Sequence, residues 1–279
     1  MRIDAHQHFW QLARADYGWL TPALGPIYRD YGPADLAPLL ARHGIDRTIL
    51  VQAAPTEAET RFLLGIAART PFVAGVVGWA DFDAPDIARR IELLASHDRL
   101  VGLRPMVQDI EDDDWLGKPS LAPAFAAMRK HGLVFDALLL PCHISAALAM
   151  LAREPELPVV IDHAAKPDLV AGDLAAWRDG ITALAAHPNT VCKLSGLVTE
   201  AAAGWTIATL RPVAEHLLAT FGSQRLIFGS DWPVLSLRAE YSRWVETAEG
   251  LLADCSAAER EAVFGGNAAR VYLSQKDRR

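Results

Sequence analysis

Thr48-Ile49-Leu50-Val51-Gln52-Ala53 is a nearly continuous apolar run, and Phe72-Val73-Ala74-Gly75-Val76-Val77-Gly78-Trp79 is another. Between them, residues 56–68 carry apolar side chains at helical spacing among good helix formers. An apolar run of this length suits a strand covered on both faces, and a helix joining two such strands makes them parallel. The same unit recurs outward in both directions. Strand-like runs occupy residues 2–8, 48–53, 72–79, 100–106, 133–140, 158–163, 190–195 and 225–230. Helical patterns occupy residues 34–41, 56–68, 84–95, 121–130, 144–153, 174–186, 207–220 and 238–252. His43-Gly44, His131-Gly132, His187-Pro188 and Phe221-Gly222 stand where helices should stop.

Eight strands alternating with eight helices predict an α/β fold, a closed (β/α)8 TIM barrel. A chain of 279 residues suits one such domain over residues 1–279. A doubly wound open sheet would alternate in the same way. The first run, however, leads through Trp10 and Trp19 into a long segment rather than into a Gly-rich phosphate loop, which argues against a dinucleotide-binding fold. The extended segments 10–32 and 108–118 are candidates for loops that cover a site.

Composition narrows the function. Hydrophobic residues make up 51% of the chain and charged ones 22%, enough apolar content for a substantial core. Lys and Arg number 27 against 34 Asp and Glu, a net charge of −7, and no basic stripe suits a nucleic-acid backbone. Cys142, Cys192 and Cys255 are too few and too scattered for a disulfide framework or a thiolate zinc site. The chain starts at once into Ile3-Asp4-Ala5-His6, with no apolar signal segment, and no later stretch has the ~20 apolar residues that span a bilayer. These features predict a cytoplasmic protein acting on a small molecule, with no nucleic-acid or membrane partner; oligomeric state is left open.

In such a barrel function sits at the carboxyl ends of the strands. His6 and His8 in Asp4-Ala5-His6-Gln7-His8 project to the same side of the first strand, so both can reach one metal ion. Ile161-Asp162-His163 closes the sixth run and Phe228-Gly229-Ser230-Asp231-Trp232-Pro233 the eighth, bringing a third imidazole and a carboxylate to the same rim. His6, His8, His163 and Asp231 can ligate a divalent ion, or Asp231 can act as general base toward water. Lys193 points inward if Ser195 does, and Arg104 ends the fourth run. Each is either a stabiliser of a carbonyl oxygen or a partner in an ion pair with Asp4, Asp109 or Asp136. Trp10, Trp79 and Trp232 follow strand ends, where they either fill the core or wall a sugar-like ring. His143, just after the fifth run, is the one remaining histidine within reach of the rim. His43, His97, His131 and His187 fall near helix ends, where a cation complements the dipole. Asp4 and Asp162 are read as braces for the backbone or a ring nitrogen.

Arg2-Ile3-Asp4-Ala5-His6-Gln7-His8-Phe9-Trp10, Asp162-His163-Ala164-Ala165-Lys166-Pro167, Cys192-Lys193-Leu194-Ser195-Gly196, the segment from Phe228 to Pro233, and Gly266-Asn267-Ala268-Ala269-Arg270-Val271-Tyr272 together resemble the amidohydrolase superfamily. Within it the chain is most similar to the sugar lactonase group, the L-fuconolactonases above all. The resemblance implies hydrolysis of a sugar lactone, with His6, His8, His163 and Asp231 at the centre and Arg104, Lys193 and Trp232 around them. Binuclear amidohydrolases carry a bridging lysine and a further histidine on middle strands, but Val134-Phe135-Asp136-Ala137-Leu138 offers neither. At most one divalent ion, zinc or manganese, is therefore expected, and the group includes members that work without metal. Asp231 and His163 are assigned to activation of water, Lys193 and Arg104 to the carbonyl oxygen or hydroxyls, and Trp10, Trp79, Trp232 and His143 to substrate contact. The competing reading is a decarboxylase of the same superfamily acting on an aromatic acid.

Overall fold

The computed structural model describes residues 1–274. Eight parallel strands form one sheet in chain order: β1 (Ile3–Gln7), β2 (Arg47–Val51), β3 (Val73–Gly78), β4 (Leu100–Leu103), β5 (Val134–Ala137), β6 (Val159–Ile161), β7 (Thr190–Leu194) and β8 (Leu226–Phe228). A helix follows each strand: α1 (Pro33–His43), α2 (Glu57–Ala67), α3 (Ile87–Ala95), α4 (Ala122–Lys130), α5 (Ile144–Arg153), α6 (Ala175–Ala185), α7 (Ile207–Phe221) and α8 (Tyr241–Leu251). A short α9 (Ala257–Glu261) comes last. β1 and the segment after β8 meet at the carboxyl end of the barrel, where Gln7, the last residue of β1, forms a parallel bridge with Trp232. There the Asp231 amide donates to the His6 carbonyl at 2.7 Å and the His8 amide to the Trp232 carbonyl at 2.7 Å. The alternation read from the sequence is thus a (β/α)8 barrel. No helix among the described residues is long and apolar enough to cross a membrane.

Local chemistry explains the element ends. The Thr56 hydroxyl accepts the Glu59 amide at 3.0 Å and starts α2. Gly44, at φ +59°, ends α1 in a left-handed turn that costs a residue without Cβ little. Strands are shorter than the apolar runs that announced them: residues 100–106 contribute Leu100–Leu103, and residues 133–140 contribute Val134–Ala137. The remainder leaves the ladder to build the barrel mouth and stays apolar because it stays buried, as Leu138 and Leu139 show.

Two apolar layers result. Inside the barrel, Ile3, Ala5, Ile49, Val77, Val134 and Val160 pack together, and between strands and helices lies a larger layer. Ala268, Val271 and Tyr272 join the inner layer, so the segment after α9 closes the barrel from below. Asn267 pins that segment by donating to the carbonyls of Ser223 at 2.8 Å and Leu226 at 2.7 Å, at the start of β8. The register of β1 against β2 shifts between Asp4 and Gln7. Ile3 and Ala5 therefore pack inside, while His6 and His8, of the opposite parity, converge at the mouth.

Candidate active site

Four side chains from the ends of β1, β6 and β8 meet at the mouth. Asp231 Oδ1 lies 3.3 Å from His8 Nε2, 3.7 Å from His6 Nε2 and 3.7 Å from His163 Nε2. The His6 ring stands 4.9 Å from that of His8 and 4.3 Å from that of His163, centroid to centroid. His8 Nδ1 lies 2.8 Å from the Val51 carbonyl, which only accepts, so this nitrogen carries a proton and Nε2 is turned to Asp231. A proton on Nε2, or a cation, would bridge this nitrogen and the Asp231 carboxylate 3.3 Å away. His163 Nδ1 is engaged by the Ser195 hydroxyl at 2.8 Å, which turns its Nε2 to the same centre.

The backbone is bent to achieve this. Asp231 sits at φ +60°, and His163, Ala164, Ala165 and Lys166 follow one another at φ +50° to +53°. A left-handed residue with a Cβ costs roughly 1–2 kcal/mol. Such strain persists where surrounding contacts overdetermine it. Here the Trp177 indole donates to the Ala164 carbonyl at 2.7 Å and the Lys166 amide to the His163 carbonyl at 2.9 Å. Gly196 completes the seat, since a Cβ there would lie 2.5 Å from His163 Nδ1.

Beneath His6 lies a buried charge network. Lys193 Nζ is 2.5 Å from Asp136 Oδ2, 2.9 Å from Asp162 Oδ1 and 3.2 Å from His6 Nδ1. Arg104 Nη1 is 3.2 Å from Asp162 Oδ2 and 3.4 Å from His6 Nε2, while Nη2 donates to the Gln52 carbonyl. Asp4 accepts from the Ser230 amide at 2.8 Å, the His6 amide at 3.2 Å and the Tyr241 hydroxyl at 3.0 Å. It braces the backbone, as read from the sequence, and Asp162 faces His6 Nδ1 at 3.4 Å.

Protonation follows from burial and neighbours. Burial drives the His6 imidazole well below 6.5 and that of His163 down to about 4, so both stay neutral near pH 7. Burial also pushes the Asp231 carboxyl up, but His163, the His8 hydrogen bond and His6 outweigh it, and the group is held well below the usual carboxylate range. Lys193 loses by burial and gains more from Asp136 and Asp162, so its pKa is raised and it remains charged. Neutral imidazoles at His6 and His163 and an ionised carboxylate at Asp231 are the protonation states that a divalent ion requires. His6, His163 and Asp231 offer ligand atoms that all lie within 4.8 Å of one another.

A cavity of about 250 Å³ opens onto this centre. That is the space of about eight waters at roughly 30 Å³ each, which suits one monosaccharide-sized ring. His8, Arg104, His163 and Asp231 line it, and so do Trp19, Gln108, Lys166 and Glu200. Lys166 Nζ is 3.5 Å from Glu200 Oε1, and burial raises the Glu200 pKa.

Five assignments made from the sequence are corrected here. Lys193 does not line the cavity; it is fully buried one layer below, in the ion pair with Asp136 that was its alternative reading. Trp10 does not line the cavity; it is fully buried behind His8, donating to the Arg29 carbonyl at 2.7 Å and packing edge-on against Tyr31. Trp232 packs edge-on against Phe9 and Tyr31. Trp79 is half-buried away from the cavity, its backbone tied to the Thr60 hydroxyl. His143 is buried, holding the Leu140 amide at 3.0 Å and Asp113 at 3.3 Å. Lys166, Glu200 and Gln108 were missed as cavity residues. Lys166 stood in the motif with His163, and only the left-handed turn brings it round to the same opening.

Comparison with known proteins accords with this geometry. Residues 3–273 match the amidohydrolase family model. The chain is 48% identical over 275 residues to an L-fucono-1,5-lactonase of Burkholderia ambifaria, covering 97% of this chain and 95% of that protein. It is 40% identical over 290 residues to an L-fucono-1,5-lactonase of Burkholderia multivorans, covering 98% and 96%. Among solved structures, a Burkholderia multivorans amidohydrolase with bound zinc superposes with a TM-score of 0.92 at 40% identity, covering 98% of this chain and 99% of that one.

Proposed function

The chain belongs to the amidohydrolase family, and from that premise we infer that it is a lactonase, a carboxylic ester hydrolase that opens a sugar lactone to the aldonic acid. The observation that carries this reading is an ionised carboxylate, Asp231, set among three imidazoles and Arg104 at the floor of a monosaccharide-sized cavity. Similarity to the L-fucono-1,5-lactonases supports L-fucono-1,5-lactone or a stereochemically close aldonolactone as the substrate, and with it our reading of a cytoplasmic role in L-fucose breakdown.

In this reading Asp231 takes a proton from a water as the water oxygen bonds to the ester carbon. His163 and His8 orient that water, and Arg104, a donor only, receives the charge gathering on the carbonyl oxygen. Collapse breaks the ring C–O bond, and Asp231 returns its proton to the departing alkoxide. Lys166 and Glu200 offer a donor and an acceptor to ring hydroxyls. The donor set fits one divalent ion, zinc or manganese, held by His6, His8, His163 and Asp231. When bound it supplies Lewis-acid polarisation and lowers the pKa of water.

A panel read by a pH indicator, with and without chelator, tests this. L-fucono-1,5-lactone should release acid faster than pyrone dicarboxylate. Faster turnover of the dicarboxylate overturns the substrate assignment, and carbon dioxide release from hydroxybenzoates without lactone opening marks a decarboxylase instead.

A further inference from the structure

Tyr272 is the last residue of the Gly266-to-Tyr272 motif, and its side chain does not line the cavity. Its ring fills the underside of the barrel, 1% exposed, and its hydroxyl donates to both oxygens of Asp136, at 2.8 Å and 2.9 Å. Asp136 in turn takes Lys193 Nζ at 2.5 Å, and the same ammonium lies 5.5 Å from the centre of the Tyr272 ring. Lys193 Nζ donates to Asp136 Oδ2 and contacts His6 Nδ1, and it forms an ion pair with Asp162 Oδ1 at 2.9 Å, an oxygen that takes no hydrogen bond of its own. Every member of this column is sealed from solvent.

We propose that Lys193, clamped from below by Asp136 and Tyr272, is a positioning residue that fixes the ring of His6 at the active centre. The two hydrogen bonds and the ion pair leave the ammonium no alternative site, so its contact with Nδ1 fixes the ring with its proton on Nε2, toward Asp231 Oδ1, a proton that an ion held at Nε2 would have to displace. Asp162 Oδ1 lies 3.4 Å from the same Nδ1, pairs with the ammonium rather than with the ring, and belongs to a carboxylate that Arg104 holds through Oδ2. The closing segment of the chain thereby reaches the site through side chains of β5 and β7. Charge balance alone does not explain the column, because Tyr272 carries no charge and still spends its hydroxyl on Asp136.

The kinetic readout rests on the lactonase reading; the spectroscopic one does not. In substrate-free protein, the ¹⁵N signals of the His6 ring should move in Lys193→Met, whose loss of the donor at Nδ1 favours a proton there facing Asp162. With lactone, kcat should fall about 10- to 100-fold, the usual effect of a partner that orients an active-site imidazole. KM should stay within about twofold of wild type, since Lys193 touches no cavity surface. The double variant Lys193→Met/Asp136→Asn removes one buried charge of each sign. It should regain thermal stability without regaining kcat. Tyr272→Phe, which deletes one oxygen and no charge, should lower kcat in the same way and carries the test if Lys193→Met does not fold. Recovery of kcat in the double variant, or unmoved His6 signals in the variants that fold, overturns the proposal and reduces Lys193 to a buried counter-charge. Moved signals without lactone turnover leave the strut standing and refute only the lactonase reading.

Discussion

Replacing Asp231 with Asn should remove turnover and leave the fold intact, and the structure explains why both halves hold. The amide matches the carboxylate in size but cannot take a proton, and loss of a general base is worth about 10²- to 10⁴-fold in rate. At about 1.4 kcal/mol per factor of ten, that is roughly 3–5 kcal/mol of transition-state stabilisation. The backbone at residue 231 should not notice the change. Its φ of +60° is one that Asn adopts more readily than most side chains. Its amide still donates to the His6 carbonyl at 2.7 Å and its carbonyl still accepts the Leu235 amide at 2.9 Å. Asp231→Ala is a poorer probe, because an Ala in that conformation adds about 1 kcal/mol or more of strain and mixes stability with activity. Initial rates by pH indicator, with thermal melts of the same preparations, provide the measurement. Near-wild-type kcat in Asp231→Asn at unchanged stability refutes the role of this carboxylate as the base.

Three further outcomes follow from particular contacts. Gly196→Ala should abolish activity and lower the melting temperature, because the new Cβ falls 2.5 Å from His163 Nδ1 at a backbone φ of +65°; wild-type kcat would show that the His163 seat is soft. Lys166→Met should raise KM about tenfold with little change in kcat, the loss of one charge-assisted hydrogen bond at about 1.5 kcal/mol; a fall in kcat at constant KM would move Lys166 from hydroxyl recognition into the chemistry. Stability should be lost as pH falls from about 6.5 to about 4, because the folded state holds His163 near 4 and the unfolded chain takes up the proton first. That single group is worth roughly 3 kcal/mol by about 1.4 kcal/mol per pKa unit, and denaturant midpoints equal at pH 7 and pH 4.5 would contradict it.

The barrel was legible because covered parallel strands and amphipathic helices leave opposite marks, one a short apolar block and the other a longer periodic pattern. The apolar block says which residues are buried, not which are hydrogen-bonded in a ladder. Residues 104–106 and 138–140 therefore read as strand, although they form the mouth. The closure from below left no periodic trace at all. It rests on Asn267 reaching the start of β8 and on Tyr272 reaching Asp136, contacts between residues 41 to 136 positions apart.

For the site, what could be read was parity, and what could not was depth. Val191, Lys193 and Ser195 share a face, and that face does look inward. Yet Val191 packs in the inner core, Lys193 lies one layer higher under His6, and only Ser195 reaches the level of His163. An inward lysine was correctly placed on the face and wrongly placed in the cavity. Parity itself holds only while the ladder lasts. His6 and His8 agree in parity and both face Asp231, whereas Trp10 lies beyond the strand, where the alternation rule has no force, and its ring packs against Tyr31. Asp231 is the case in which both quantities coincide. The amide of the residue that supplies the carboxylate also bonds to the His6 carbonyl and helps join β8 to β1. Closing the barrel and aiming the base at the imidazoles are therefore one structural event, so a variant that misplaces Asp231 backbone should open the seam between those strands as it loses activity.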